Sequence, residues 1–323
     1  MSDLIDSLYR GLLQGDRRSA ARLITMIENG DPLSIGVVKE LHRHSGKAQI
    51  VGLTGLPGSG KSTLACGLAK KYREYGKTVG IIAVDPTSPF TGGALLGDRI
   101  RMQELAGDPG VFIRSMGSRG ALGGLATATN DVINILDAFG MDVIIVETVG
   151  AGQVEVEIVK YAHTCVVVTM PGGGDEIQAI KAGILEIGDI FVVNKADKEG
   201  SSRTVADLEM MLEMKPGFDE APWKQPVIQT VATNSQGIDE LHEALDNHWR
   251  FLNETGKLEE KTSERMKAEL IEVLNSKVSI AASKALSEDP KCREVLTRLI
   301  KREIDPHSAA DQVAKYLIKG ASQ

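Results

Sequence analysis

The chain has 323 residues, with 37 basic against 44 acidic side chains and a formal charge of −7, which argues against a general binder of nucleic acid or anionic membrane surfaces. Hydrophobic residues at 42% and charged residues at 25% exclude wholesale disorder, and the length fits one large α/β domain with or without helical extensions. Cys66, Cys165 and Cys292 are scattered with no CxxC pair, which excludes a disulfide framework and fits a reducing compartment. The opening MSDLIDSLYRGLLQGDRR has acids early and no signal-peptide core. No stretch approaches the ~20 apolar residues that span a bilayer. A cytoplasmic location is therefore expected.

Residues 1–46 read as helices. Leu4, Leu8 and Leu12, then Ala20, Leu23, Ile24 and Ile27, recur at helical spacing. Asp16 and Asp31 stand at helix starts, the second followed by Pro32 at the first-turn position. From Gln49 the texture changes. Short apolar runs alternate with helix-length stretches: QIVGLT (49–54), TVGIIAV (78–84), VFIRS (111–115), DVIIVE (142–147), TCVVVTM (164–170), IFVVN (190–194) and PVIQTVA (226–232). Near-continuous Val/Ile strands separated by helices predict an α/β fold with a mainly parallel sheet buried on both faces. Ligands of such sheets bind outside the carboxyl ends of the strands.

After Asn253 the strand pattern stops. Residues 257–323 hold thirteen basic and eleven acidic side chains, so they are not a nucleic-acid tail. Met266, Leu270, Leu274, Val278, Ala281 and Ala285 recur every three or four residues, and Pro290 and Pro306 open two further helices. The pattern predicts a long helix plus a helical pair, which either packs back on the sheet or serves as a dimerisation arm. The expected organisation is a helical extension over 1–46, a nucleotide-binding domain over 47–253 and a helical arm over 254–323.

Gly55-Leu56-Pro57-Gly58-Ser59-Gly60-Lys61-Ser62 is a P-loop, followed by Thr63 and placed between an apolar run and a helix. Its glycines let backbone N–H groups wrap a phosphate, and the helix N-terminus adds partial positive charge. Lys61 reaches the outer phosphates and the Ser62 hydroxyl can ligate Mg²⁺. Asn194-Lys195-Ala196-Asp197, at the end of IFVVN, is the guanine-reading NKxD element. An aspartate there accepts from N1–H and N2–H₂ of guanine, a donor pair that adenine lacks. Asn194 is expected to brace the base loop and the Lys195 stem to lie over the ring. Val231-Ala232-Thr233 is the candidate base-capping segment.

Glu147 ends DVIIVE, where an acid can hold Mg²⁺, and the N–H of Gly150 can contact the γ-phosphate. Asp85 and Asp98 are two further acids on the same side of the sheet. Residues 86–101 and 150–157 read as loops that sense the γ-phosphate. The run PGGGDEIQAIKAG (171–183) reads, on its residues alone, as a plain β–α turn with Asp175 near a helix start. His163 and Cys165 share a face entering a strand and read as structural.

Together, GLPGSGKST, VDPTSPFTGGALLGDRIRM, ETVGAGQVEVE, PGGGDEIQAIKAG and NKAD resemble the MeaB/ArgK-type GTPases, relatives of the methylmalonic aciduria type A protein, within the SIMIBI class of P-loop GTPases. The opening GDRRSAARLITMIENG and the helical tail are similar too. The resemblance implies a G-protein chaperone of an adenosylcobalamin-dependent acyl-CoA mutase, usually methylmalonyl-CoA mutase. It would gate cofactor loading and protect the mutase through GTP binding and hydrolysis. It also implies homodimers through the C-terminal arm, and a metal environment of Ser62, Asp85, Asp98 and Glu147. The family's third switch maps onto Gly172 to Lys181, which overrides the plain-turn reading and brings Lys181 toward the nucleotide when a partner is bound. The chain departs from the family's GQSE at Val154.

The reaction these residues imply is in-line attack of water on the γ-phosphate, with charge stabilised by the P-loop amides, Lys61 and Mg²⁺. Gln153 and Asp85 are the candidates for orienting the water. Three rivals share part of the pattern. A P-loop small-molecule kinase or transport-system ATPase does not need NKAD, a nickel-insertion GTPase needs a Cys/His cluster, and a non-hydrolysing scaffold needs no turnover.

Overall fold

In the computed structural model, residues 3–85, 103–117, 124–148, 158–172 and 184–320 are described. Three helices come first: α1 (Asp3–Leu13), α2 (Arg17–Glu28) and α3 (Pro32–Leu41). Asp16 caps α2 by accepting from the N–H groups of Arg18 and Ser19, and Asp31 caps α3 by accepting from Leu33 with Pro32 in the first turn. The helices bury Leu8, Leu12, Leu23 and Ile24. Leu4 is exposed, and Ile5, one position on, takes the buried place in α1.

The seven predicted strands all form. They are β1 (Gln49–Gly55), β2 (Val79–Asp85), β3 (Val111–Gly117), β4 (Val143–Thr148), β5 (Thr164–Thr169), β6 (Ile190–Asn194) and β7 (Val227–Thr230). They make one sheet in the order β3-β2-β4-β1-β5-β6-β7, with every pairing parallel. β1, β4, β5 and β6 are buried at every position, the physical reason for their unbroken apolar runs. The connecting helices are α4 (Lys61–Glu74), α5 (Gln103–Ala106), α6 (Gly124–Ala138), α7 (Ile184–Ile187), α8 (Ser201–Glu213) and α9 (Ile238–Glu254). A 3₁₀ turn, Ile158–Lys160, precedes β5.

The N-terminal helices pack on one face of this sheet and on α6, and side chains of α2 reach edge strand β3. The Arg17 guanidinium donates to Pro109 O at 2.8 Å and Val111 O at 2.6 Å, beside edge strand β3, and Arg114 of β3 pairs with Glu28 of α2. The Val111 carbonyl on that edge is thereby paired.

The tail forms α10 (Lys257–Glu288), α11 (Pro290–Ile300) and α12 (Pro306–Gly320). Helix α10 has 32 residues, about 48 Å of helix. Its root is fixed by Lys261, which donates to both carboxylate oxygens of Asp189 (3.1 and 3.0 Å) and to His163 O (2.9 Å). Its far end builds a small core with α11 and α12 from Cys292, Val295, Ala309 and Val313. Of the two predicted fates for the tail, packing back on the sheet holds only for its root. Met266, Leu270, Leu274 and Val278 are 44–59% exposed. No described helix is long and apolar enough to cross a membrane.

Candidate nucleotide site

Strand β1 lies in the middle of the sheet, between β4 and β5, so the loop after it opens at the centre of the carboxyl edge. Gly55 has φ +123°, and a Cβ there would lie 2.0 Å from Val168 O of β5, so only glycine lets the chain leave the sheet at this point. Gly60 has φ +93° and precedes α4, whose first turn no side chain caps. A Cβ on Gly60 would lie 2.4 Å from Asn194 Nδ2. A helix start of this kind presents N–H groups suited to an anion.

Lys61 is buried, and its ammonium donates to Gly55 O at 2.6 Å and Leu56 O at 3.1 Å. It is thus folded back over the loop that a phosphate chain would fill. Register places Glu147 of β4 beside Leu53 of β1, level with the start of the loop. The Ser62 hydroxyl donates to Glu147 Oε1 at 2.5 Å, and both residues are buried. Asp85 ends β2 opposite Gly117, and its side chain lies outside the described residues, as do Asp98, Gly150, Gln153, Asp175 and the 173–183 run with Lys181.

The Asn194–Asp197 and Val231–Thr233 segments meet the P-loop from the other side. Asn194 Nδ2 donates to Ser59 O at 2.7 Å, and Asn194 Oδ1 accepts from Thr230 Oγ1 at 3.0 Å and the Ala232 N–H at 3.1 Å. Asn194 thus links the P-loop to the segment that follows β7. Lys195 takes a left-handed φ of +58°, and its ammonium donates to Gly58 O at 2.6 Å. A cleft of about 240 Å³ opens here, lined by Gly60, Thr63, Asn194, Lys195, Asp197, Lys198, Val231, Ala232 and Thr233. The Val231-Ala232-Thr233 segment and Asp197 are thus brought to one cavity. Pro57 stays in the loop, outside the cleft lining.

Two contributors were not singled out from sequence. Thr230 is fully buried and holds Asn194 from the next strand, a role set by the register Asn194↔Thr230. Lys198 lines the cleft beside Asp197, and its signal was simple adjacency to NKAD. His163 and Cys165 are both buried. His163 Nδ1 accepts from the Ile50 N–H at 3.1 Å, and burial pushes its pKa down to about 3. Burial pushes the Cys165 thiol far up, so it is not a thiolate at neutral pH.

The family model described as methylmalonyl Co-A mutase-associated GTPase MeaB matches residues 20–287. A Pyrococcus abyssi protein named as a GTPase is 51% identical over 318 residues, covering 98% of each chain. The mitochondrial methylmalonic aciduria type A homolog of Caenorhabditis elegans is 31% identical over 282 residues, covering 81% of this chain and 70% of that protein. The crystal structure of a LAO/AO transport system kinase superposes with TM-score 0.70 at 25% identity, covering 98% of each chain. With its seven-stranded parallel sheet and guanine-nucleotide elements, the chain belongs to the MeaB family of P-loop GTPases in the SIMIBI class and is a GTP hydrolase.

Proposed function

We propose that this GTPase is a homodimeric, cytoplasmic chaperone of an adenosylcobalamin-dependent acyl-CoA mutase, with methylmalonyl-CoA mutase as the first candidate. The observation that carries the nucleotide part is the Asn194 amide, which joins the P-loop and the base loop into one cleft. The mutase part rests on the family's description and on the methylmalonic aciduria type A relative. The 1–46 extension would cover one face of the sheet, the 47–253 domain would hold the nucleotide, and the 254–323 arm would carry the dimer contact through its exposed apolar stripe.

In this reading Asp197 accepts from the guanine edge, Lys195 covers the ring, and the amides of Gly58 to Thr63 receive the phosphates. Lys61 leaves the carbonyls of Gly55 and Leu56 for the β- and γ-phosphate oxygens. The donor set at Ser62 and Glu147 fits a hard divalent cation: a hydroxyl and a buried carboxylate in direct contact at the base of the loop. Ser62 and Glu147 would hold Mg²⁺, with Asp85 and Asp98 completing its surroundings. Bound Mg²⁺ supplies positive charge against the phosphate oxygens. Gly150 would contact the γ-phosphate, Gln153 or Asp85 would orient the attacking water, and Lys181 would approach when the partner docks.

The test measures binding of GDP against ADP, then GTP turnover with and without purified methylmalonyl-CoA mutase. Guanine preference and faster turnover with the mutase support the reading. Equal turnover with and without it, and no complex that differs between GDP and a non-hydrolysable GTP analogue, would overturn the chaperone role.

A further inference from the structure

The cleft beside the P-loop contains a cation that no described residue pairs with. The turn that carries it is short and fixed. Lys195 stands at φ +58°, the Lys198 N–H donates to Lys195 O at 3.0 Å, and the Ala196 N–H donates to Thr230 O at 3.0 Å. Residues 195–198 thus form a closed turn tied to the end of β7. Both Asp197 and Lys198 line the cleft of about 240 Å³. They are sequence neighbours of opposite charge, yet among the described residues the Lys198 ammonium has neither a hydrogen bond nor an ion pair, with Asp197 or with any other group.

Other donors at this cleft already have partners inside the protein. Asn194 Nδ2 donates to Ser59 O at 2.7 Å, the Lys195 ammonium to Gly58 O at 2.6 Å, and the Ala232 N–H to Asn194 Oδ1 at 3.1 Å. Among the lining side chains that leaves two neutral hydroxyls, on Thr63 and Thr233, and one cation, Lys198. Guanine offers such a cation a target. When its N1–H and N2–H₂ lie on a carboxylate, O6 is the next atom along the same edge and N7 lies beyond it. Both are acceptors, and a basic side chain is their usual partner. Adenine carries its N6 amino group where guanine has O6, so an ammonium placed there meets a donor instead.

We propose that Lys198 is a second specificity-determining residue for the base: its ammonium donates to the O6–N7 edge of guanine while Asp197 accepts from N1–H and N2–H₂. This rests on the reading that the cleft takes the guanine base. The two neighbouring side chains then divide the base between them, an anion for its donors and a cation for its acceptors. A purine with that pattern reversed is disfavoured at both positions. Asp197 and Lys198 are exposed in the open cleft, so water screens the contact and its effect is roughly ten-fold in affinity.

The experiment measures affinity of the full-length protein for GDP, ADP, 7-deaza-GDP, which lacks the N7 acceptor, and 6-thio-GDP, whose sulfur accepts weakly. Lys198→Met keeps the alkyl stem and removes the charge. GDP affinity is expected to fall roughly ten-fold while ADP affinity holds within about two-fold. At least one of the two guanine analogues should bind the parent protein more weakly than GDP does, and Lys198→Met should erase that difference. Lys198→Arg, which keeps a donor cation, should retain the preference for GDP. Equal losses of GDP and ADP in Lys198→Met would mark a phosphate contact and overturn the proposal. So would a parent protein that binds both analogues as well as GDP, or a variant that discriminates against them as the parent does. Asp197→Asn, run alongside, keeps the two readings apart. If it loses guanine preference while Lys198→Met keeps it, only the role of Lys198 fails. If neither variant changes the preference, the base sits elsewhere and the reading of the cleft fails as well.

Discussion

The side-chain amide of Asn194 donates to the backbone carbonyl of Ser59, 135 residues earlier in the chain, at 2.7 Å. Its other end accepts from Thr230 and from the Ala232 N–H. One buried amide thus sets the spacing between the P-loop and the segment that follows β7. A ligand that spans both loops then binds a preformed frame and loses less to ordering. The fit around this amide is tight: Gly60 has no room for a Cβ because Asn194 Nδ2 stands 2.4 Å from where it would be.

Asn194→Ala removes the brace and leaves the Ser59 carbonyl, the Thr230 hydroxyl and the Ala232 N–H without their partner. GDP affinity is expected to fall on the order of 10²-fold, the sum of a few unmade buried hydrogen bonds. Isothermal titration with GDP measures it. An affinity within about two-fold of the parent protein would contradict the preformed frame.

Asp197→Asn tests the base contact. A carboxylate matches the two N–H donors on the guanine edge, whereas a carboxamide offers one acceptor and one donor. Xanthine presents one donor and one acceptor at the same two positions. The substitution is therefore expected to lower guanine affinity by roughly 10²-fold or more while raising that for xanthine nucleotides. Competition of GDP and XDP for the variant reads the exchange. If guanine is still preferred as before, Asp197 does not read the base.

The sheet was legible because burial on both faces leaves little but Val and Ile between the loops, as in Val143–Val146 and Val166–Val168. The helix starts at Asp16 and Asp31 were legible because their capping chemistry is local. Thr230 was not, since its contact with Asn194 exists only through the pairing of β6 with β7. The arm shows a different limit. Spacing reveals a stripe such as Met266, Leu270 and Leu274, and the usual rule aims a stripe at the core. Here the stripe faces out while Arg265 and Glu269 face in, and periodicity is the same for both orientations.

Asp131 of α6, which faces Glu269 of α10, makes stability depend on pH. Burial, then the neighbouring Glu269 carboxylate, push Asp131 up to about 7 from its ordinary 3.8. Below 3.8 both folded and unfolded chains are protonated there and the group has no effect. Between 3.8 and 7 the unfolded chain gives up the proton first, so the folded state is progressively disfavoured as pH rises. Asp131→Asn removes this cost. The expected gain is on the order of 1–3 kcal/mol at pH 8, fading as pH falls toward 4. Urea melts of both proteins across that range measure it, and a gain that does not vary with pH would contradict the assignment.

The last expectation concerns the outward stripe. Leu270 and Leu274 are 59% and 49% exposed on a helix whose contacts with α6 and the 3₁₀ turn are polar. A second copy of the arm is the occupant proposed for that face. Leu270→Glu with Leu274→Glu keeps helix propensity nearly constant and touches no buried contact, so each protomer should keep its melting temperature and its GDP affinity. What should change is mass in solution. Light scattering on the size-exclusion peak is expected to give a dimer for the parent protein and a monomer of 34.7 kDa for the variant. A parent protein that is already monomeric, or a variant that remains dimeric, would remove the arm from the interface.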